Sequence, residues 1–99
     1  MIRHIVTWKL RAEDAEGKAA SIAELKSTLE ALVPAIDELI SLEVHSNVAY
    51  EDVNWDVVLV ADYASVDDLA AYQVHPAHVA AAAIVRGHVT ERASIDFEI

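Results

Sequence analysis

The order in which the hydrophobic spacing changes along the chain restricts its fold more than any other feature. Residues 2–10 alternate strictly, which predicts a strand. One face of that strand carries Ile2, His4, Val6, Trp8 and Leu10. From Asp14 to Val33 apolar residues recur every three or four positions, which predicts a helix that Pro34 ends or kinks. Alternation returns in a half-polar edge strand over residues 42–48, so the first half is a strand, a helix and a strand.

The second half repeats this order. The run from Trp55 to Tyr63 is apolar on both faces in its middle, which is typical of a central strand. Ser65 can cap a helix that must end before Pro76, a residue that suits the first position of a second helical segment. That segment is rich in alanine, and residues 88–99 then alternate as a second edge strand.

Together these elements predict one α+β domain over residues 1–99 with the ferredoxin-like order βαββαβ. Two right-handed crossovers joined by a hairpin give a four-stranded antiparallel sheet, in the order 4-1-3-2, with the helices on one face. The other face then carries Ile5 and either the Val57/Leu59 pair or the Val58/Val60 pair. Because such exposed apolar stripes are contact surfaces, we expect two copies to pair through this open face as a two-fold symmetric homodimer.

Charge and composition exclude several classes of protein. The chain has 17 acidic and 7 basic residues, a formal net charge of −10, so nucleic-acid backbones and anionic membrane surfaces would repel it. It has no cysteine, which excludes disulfide scaffolds, Cys-zinc sites and thiol chemistry. Its N-terminal residues lack the apolar core of a signal peptide, and no apolar stretch is long enough to cross a bilayer. We therefore expect a cytoplasmic protein without nucleic-acid or membrane partners.

One segment, Tyr72-Gln73-Val74-His75-Pro76-Ala77-His78, concentrates polar side chains suited to chemistry. His78 falls in the first turn after Pro76, where free backbone N–H groups disfavour a charged imidazole. His78 should therefore be neutral near pH 7 and able to accept a proton as a general base. The Tyr72 hydroxyl can donate a hydrogen bond to an enolate that forms nearby, and His4 projects from the strand face expected to lie under the helices.

Each of these residues also has a structural interpretation. His75 suits a helix cap, His78 suits a hydrogen bond to a backbone carbonyl, and His4 and Tyr72 suit the core. A zinc site made of His4, His75 and His78 is disfavoured because Pro76 breaks the helix that would align the last two rings, so we expect no metal. The glycine-rich nucleotide loops and the Gly-x-Ser-x-Gly motif of hydrolases are absent from the sequence.

The chain resembles a known family, the stress-responsive dimeric α/β-barrel (Dabb) proteins, over essentially its whole length. The resemblance rests on Ile2-Arg3-His4-Ile5-Val6, Trp55-Asp56-Val57-Val58-Leu59, Tyr72-x-x-His75-Pro76-x-His78 and Ser94-Ile95-Asp96-Phe97. It implies two ferredoxin-like subunits whose sheets form a barrel. It does not imply one activity, because some members are stress proteins without assigned chemistry, while a plant branch contains a polyketide cyclase of the olivetolic acid type that uses no metal or cofactor.

The resemblance also implies candidate site residues. In that cyclase a histidine of the first strand, a helix tyrosine and the second histidine of the His-Pro-x-His motif bear on catalysis. The matching positions in this chain are His4, Tyr72 and His78, and His75 matches the first histidine of the motif, which lies beside the site. We expect the wall of the substrate pocket to include His75, Val6, Trp8, Leu59 and Ile84.

Three functions are open from the sequence. The first is a homodimeric stress-response barrel of unassigned activity, with a small apolar pocket between helices and sheet. The second is a lyase, cyclase or isomerase without metal or cofactor, which acts on a carbonyl, polyketide-like compound with His78 as general base. The third is a cofactor-free monooxygenase of the antibiotic-biosynthesis type, for which the sequence shows no motif. The test that separates the first two is a cavity that brings His4, Tyr72 and His78 to a common point.

Overall fold

The computed structural model describes all 99 residues, which form four strands and four helices. The strands are β1 (Ile2–Leu10), β2 (Ser41–Ser46), β3 (Val57–Tyr63) and β4 (Val89–Glu98). The helices are α1 (Ala15–Glu30), α2 (Leu32–Ala35), α3 (Val66–Val74) and α4 (Pro76–Arg86). The strands make one antiparallel sheet in the order β2-β3-β1-β4. The predicted α+β ferredoxin-like fold and its sheet order are confirmed.

Side-chain caps and one proline set the helix boundaries. α1 begins after Asp14, whose carboxylate accepts a hydrogen bond from Gly17 N at 2.9 Å. α3 ends at His75, which has an extended backbone (φ −63°, ψ 135°) and whose Nδ1 accepts a hydrogen bond from Ala77 N at 3.0 Å. Pro76 then occupies the first position of α4, where its missing N–H costs nothing. The chain therefore changes direction between α3 and α4 at a capped, proline-defined break.

The core lies between the helices and one face of the sheet. The even-numbered residues of β1 are buried on this face, as the alternation predicts. From β3 it is Val57 and Leu59 that are buried beneath the helices, so Val58 and Val60 lie on the opposite face. The helices contribute the buried side chains Leu25, Leu29, Leu32, Leu69, Tyr72, Ala81 and Val85.

The opposite face of the sheet has no helix over it. In the register, Ile5 on β1 lies between Val60 on β3 and Ile95 on β4. Ile95 is 62% exposed and Phe97, two residues further along β4, is 40% exposed. We call the set Ile5, Val58, Val60, Ile95 and Phe97 the open-face stripe. An apolar surface of this kind is the structural basis for expecting contact with a second chain.

Three details differ from the sequence predictions. The helix predicted to run to Val33 ends at Glu30, and a separate short helix, α2, contains Pro34 in its first turn, where proline is tolerated. β2 ends at Ser46, so Val48 lies outside the sheet and is 91% exposed. β4 is exposed on both faces rather than half buried, because no helix lies over it. No helix combines the length and the hydrophobicity needed to span a membrane.

Candidate functional site

A cavity of about 430 Å³ lies beside β4, between α4 and the helix-facing side of β1. It exists because the helices cover β1 and β3 but leave the edge strand β4 exposed. Its middle is apolar, with Val6 and Leu59 on the sheet and Val85 on α4. Small-molecule sites commonly combine such an apolar wall with a few polar groups that fix the orientation of the ligand.

Six of the residues predicted to form the site line this cavity, namely His4, Val6, Trp8, Leu59, Tyr72 and His78. Ile84 does not, because it lies on the solvent side of α4, where it is 43% exposed. Ala82 and Val85 face the cavity from the same helix instead. His75 also lies outside the lining, since its Nδ1 is engaged in capping α4. The structure therefore places both residues outside the pocket wall. The rotation of α4 turns Ile84 toward solvent, and His75 caps α4.

His78 is held in one tautomer by the backbone. Its Nδ1 lies 3.0 Å from the carbonyl oxygen of Gln73, which can only accept a hydrogen bond, so Nδ1 carries the proton. The lone pair of a neutral ring is then on Nε2. Burial lowers the pKa of His78 below 6.5, and His4 and Arg92 act in the same direction, while the bond to Gln73 opposes them. The ring is therefore neutral at pH 7, with a nitrogen available to accept a proton.

His4 forms a pair with Asp96 across two strands. The two residues are register partners on β1 and β4, and the His4 Nδ1 donates a hydrogen bond to the Asp96 carboxylate. This bond fixes the orientation of the buried His4 ring and leaves its Nε2 as the remaining polar atom. Asp96 was not singled out as a site residue from the sequence. The signal was present, because the predicted order places β4 beside β1 and alternation puts Asp96 on the polar face.

Two tyrosine rings connect the two histidines. The ring centroids lie 4.4 Å apart for Tyr72 and His78, 5.0 Å for Tyr63 and Tyr72, and 6.3 Å for His4 and Tyr63. Burial raises the pKa of Tyr72, so its hydroxyl stays protonated and can donate. The Tyr63 hydroxyl is buried without a well-formed hydrogen bond, and its pKa is raised by burial and by the neighbouring Tyr72 hydroxyl. Nothing in the sequence marked Tyr63 as a neighbour of the site.

The far end of the cavity is charged rather than aromatic. Arg11, Arg86 and Arg92 line it, together with one carboxylate, Glu91. None of these four residues was predicted to belong to the site. The chain has no group of three or more His, Asp or Glu side chains arranged to hold a metal ion.

The chain matches the family model described as "Stress responsive A/B Barrel Domain" over residues 2–99. It belongs to the stress-responsive A/B barrel (Dabb) family. The resemblance seen in the sequence is thereby confirmed over the whole domain. No functionally curated protein matches this Dabb chain.

Solved structures similar to this Dabb domain agree with its fold. A dimeric ferredoxin-like protein of unknown function from Bacteroides fragilis is 32% identical, with 99% of this chain and 95% of that chain covered and a TM-score of 0.86. A dimeric ferredoxin-like protein of unknown function from Thermobifida fusca is 28% identical, with 99% and 90% covered and a TM-score of 0.76. A Dabb family protein from Mesorhizobium loti is 21% identical, with 99% and 95% covered and a TM-score of 0.71.

Proposed function

We propose that this Dabb protein binds a small carbonyl compound in the cavity and transfers a proton next to the carbonyl, as a lyase, cyclase or isomerase without metal or cofactor. One observation carries the proposal. The Gln73 carbonyl holds the proton of His78 on Nδ1, which leaves Nε2 of a neutral, half-buried ring as a base beside the Tyr72 ring. A base needs this tautomer and a pKa that keeps it unprotonated at working pH.

The reaction follows from these two groups. Nε2 of His78 takes the proton from the carbon next to the carbonyl, and the electron pair of the broken C–H bond moves to the carbonyl oxygen as an enolate. The Tyr72 hydroxyl donates a hydrogen bond to that oxygen, where the negative charge develops. The enolate carbon then attacks a second carbonyl of the same molecule, which closes a ring and leaves an alkoxide that takes the proton from protonated His78. Alternatively, protonated His78 delivers the proton to a different carbon of a conjugated enolate, which gives an isomer. The apolar middle of the cavity strengthens both interactions because little water screens them.

His4 supports this arrangement from the opposite wall. Asp96 accepts the Nδ1 proton of His4 and so fixes both its tautomer and its ring orientation. In that tautomer, Nε2 can accept a hydrogen bond from a hydroxyl or enol group of the substrate. We assign His4 to orienting the substrate and Asp96 to positioning His4.

The proposal is tested by isotope exchange. Ethyl acetoacetate and methyl hexyl ketone are incubated with the protein in D2O, and NMR measures the loss of the protons next to the carbonyl. The protein should accelerate exchange, and His78→Asn should reduce the acceleration by about 10²- to 10⁴-fold because the general base is lost. The matched control is His45→Asn, since His45 is exposed on β2, outside the cavity, and lies 3.6 Å from Glu43.

Two results would contradict the proposed reaction. One is an absence of acceleration for both ketones. The other is unchanged exchange in His78→Asn, with a circular dichroism spectrum that matches that of the wild type. A variant that loses its fold is replaced by His78→Gln, which keeps more of the side-chain volume.

We further infer that two copies pair through the open-face stripe. The relatives from Bacteroides fragilis and Thermobifida fusca are both dimeric ferredoxin-like proteins. On the same face of this chain, two hydrogen bonds of 2.9 and 3.0 Å join Arg3 to Asp62, and Glu43, the register partner of Val60 on the edge strand β2, lies 3.6 Å from His45. Arg3 and Asp62 therefore stay paired when the apolar stripe is buried, and Glu43 lies at its edge, which favours a second copy of this chain as the partner.

Sedimentation velocity at micromolar concentration tests the pairing. The wild type should sediment as a dimer, and Ile95→Lys should shift it to monomer because each interface would bury two new charges. Val48→Lys is the control, since Val48 is an equally apolar exposed residue outside the sheet and should leave the dimer intact. A monomeric wild type, or a dimer that survives in Ile95→Lys, would refute this interface.

A further inference from the structure

The positive charge of this chain is distributed unevenly. Only 7 residues are Lys or Arg, and three of them, Arg11, Arg86 and Arg92, line the one large cavity. The ion pairs elsewhere are Arg3 with Asp62, Lys18 with Asp56 and Lys26 with Glu30. The cavity arginines form no ion pair, although the chain has 17 acidic residues, and Arg92 donates only to the Ser94 hydroxyl at 3.2 Å. The cavity therefore holds the guanidinium groups that have no carboxylate partner.

The backbone positions of Arg86 and Arg92 lie at the opposite end of the cavity from His4 and His78. His78 is in the first turn of α4 and Arg86 is its last residue, so eight residues separate them by roughly 12 Å along the helix. On the sheet, Asp96 pairs with His4 and Arg92 pairs with Trp8, which is four residues or roughly 13 Å away. Both are backbone separations: the Arg92 side chain reaches back to the Ser94 hydroxyl, and its charge lowers the pKa of His78, so its guanidinium group lies nearer to His78 than the register alone gives.

Arg11 joins the same charged end. Its backbone N–H donates to the carbonyl of His88 at 2.9 Å, which places it beside the turn between α4 and β4. Glu91 is the only carboxylate in the lining, and it makes no ion pair with any of the three arginines. The charged end therefore presents three guanidinium groups with their hydrogen-bond donors largely free.

We propose that the substrate is an oxo acid, whose carboxylate binds to Arg11, Arg86 and Arg92 while its carbonyl reaches His78. The location of the carbonyl rests on the proposed function, whereas the carboxylate site rests on the arginines alone. A guanidinium group is planar and matches a carboxylate with two parallel hydrogen bonds. The backbone separation sets an upper limit, on the order of ten carbon atoms, for the chain between the carboxylate and the carbonyl, with bonds of about 1.5 Å at tetrahedral angles.

The negative net charge of the chain does not prevent an anion from binding at the charged end of the cavity. A formal charge of −10 repels anions over the rest of the surface, but salt screens charges more than about 8–10 Å away. A local group of cations can therefore bind an anion even on an acidic protein. The apolar wall between the two ends suits the carbon chain that would join the carboxylate to the carbonyl.

Binding measurements with matched probes test the carboxylate site. The probes are decanoic acid with a keto group next to its terminal methyl, the methyl ester of that acid, and decyl phosphate. In isothermal titration calorimetry the acid should bind about tenfold more tightly than the ester, which is the effect of one partly exposed charge-assisted bond. The preference should shrink as salt is raised, since the guanidinium groups are close to solvent.

Variants identify the residues responsible. Arg86→Gln and Arg92→Gln should each bring the affinity for the acid toward that for the ester, and the ester should be unaffected. Lys26→Gln removes one positive charge from the other edge of the sheet, where Lys26 contacts Glu30 and the carbonyl of Val44, and should keep the preference. Equal affinities for acid and ester, or a preference unchanged in both arginine variants, would overturn the proposal. Tighter binding of decyl phosphate than of the acid would show that the arginines prefer a phosphate, and the proposal of a carboxylate ligand would be wrong.

The His78→Asn variant separates this proposal from the proposed reaction. It should keep the preference for the acid while it loses isotope exchange. If the wild type prefers the acid but exchanges no protons, the reaction is wrong and the carboxylate site stands. If exchange occurs on ketones with no preference for the acid, the reaction stands and the carboxylate site is wrong.

Discussion

Removing the hydroxyl of Tyr63 should stabilise the protein, although most deletions of buried atoms destabilise. Tyr63 is 0% exposed, and its hydroxyl is the one buried side-chain polar atom without a hydrogen-bond partner. In the unfolded chain this hydroxyl is hydrogen-bonded to water, so folding loses those bonds without replacing them. Tyr63→Phe eliminates that loss and keeps the ring in place against Tyr72 at 5.0 Å.

The size of the effect is the difference between two opposing contributions. An unsatisfied buried polar group costs about 1–3 kcal/mol. The missing oxygen leaves a void no larger than a water-sized probe of about 10–15 Å³, and at ~24 cal/mol per Å³ this costs about 0.3 kcal/mol. Tyr63→Phe should therefore raise the free energy of unfolding by about 0.7–2.7 kcal/mol, and the melting temperature by ~4–8 °C for each kcal/mol.

Urea denaturation followed by circular dichroism measures this difference. Wild type and variants are compared at one protein concentration, because the stability of a dimer depends on it. Tyr50→Phe is the control: it removes the same atom from a side chain that is 79% exposed, and should change stability by less than about 0.5 kcal/mol. If Tyr63→Phe is less stable than wild type with an unchanged m-value, the hydroxyl has a hydrogen-bond partner in solution and the reasoning is refuted.

Three further predictions concern pH, the histidine pair and a helix cap. Because the pKa of His78 is lowered in the folded protein, His78 takes up a proton at a higher pH in the unfolded chain than in the folded one. The free energy of unfolding should therefore fall as pH drops below 6.5 and level off below the lowered native pKa, where exchange should also slow, and His78→Asn should lack this pH dependence of stability. Asp96→Asn should let His4 populate its other tautomer, seen as a change in its ¹⁵N shifts at neutral pH, whereas unchanged shifts would argue against the Asp96 bond. Asp14→Ala should lower the free energy of unfolding by about 1 kcal/mol in urea, through loss of the bond from Gly17 N, and an unaltered midpoint would exclude that cap.

The elements with a strong contrast between apolar and polar positions were predictable. β1 alternates so regularly that its buried face, including His4, follows from the spacing alone. The break between α3 and α4 follows from Pro76, since proline restricts the residue before it and removes its own donor. These are local properties of the chain, and they place His4 and His78 on the elements where the structure has them.

Where apolar and polar positions do not alternate clearly, the sequence did not show which side of a strand or helix faces the core. β3 is apolar on both faces, so an alternation of period two could not show whether Val57 or Val58 faces the helices. α4 has four consecutive alanines followed by Ile84 and Val85, and this run shows no polar side from which its rotation could be judged. Ile84 was consequently assigned to the pocket, whereas Ala82 and Val85 line it.

By itself the sequence determined the order of strands and helices, the exposed apolar face and the identity of the family, because short-range spacing, caps and prolines control these. Only the tertiary structure decided which distant side chains meet. The pairing of Asp96 with His4, the unpartnered hydroxyl of Tyr63 and the three arginines at one end of the cavity all depend on strand register and helix rotation. Those are set by packing between segments far apart in the chain, and no local pattern of residues encodes them.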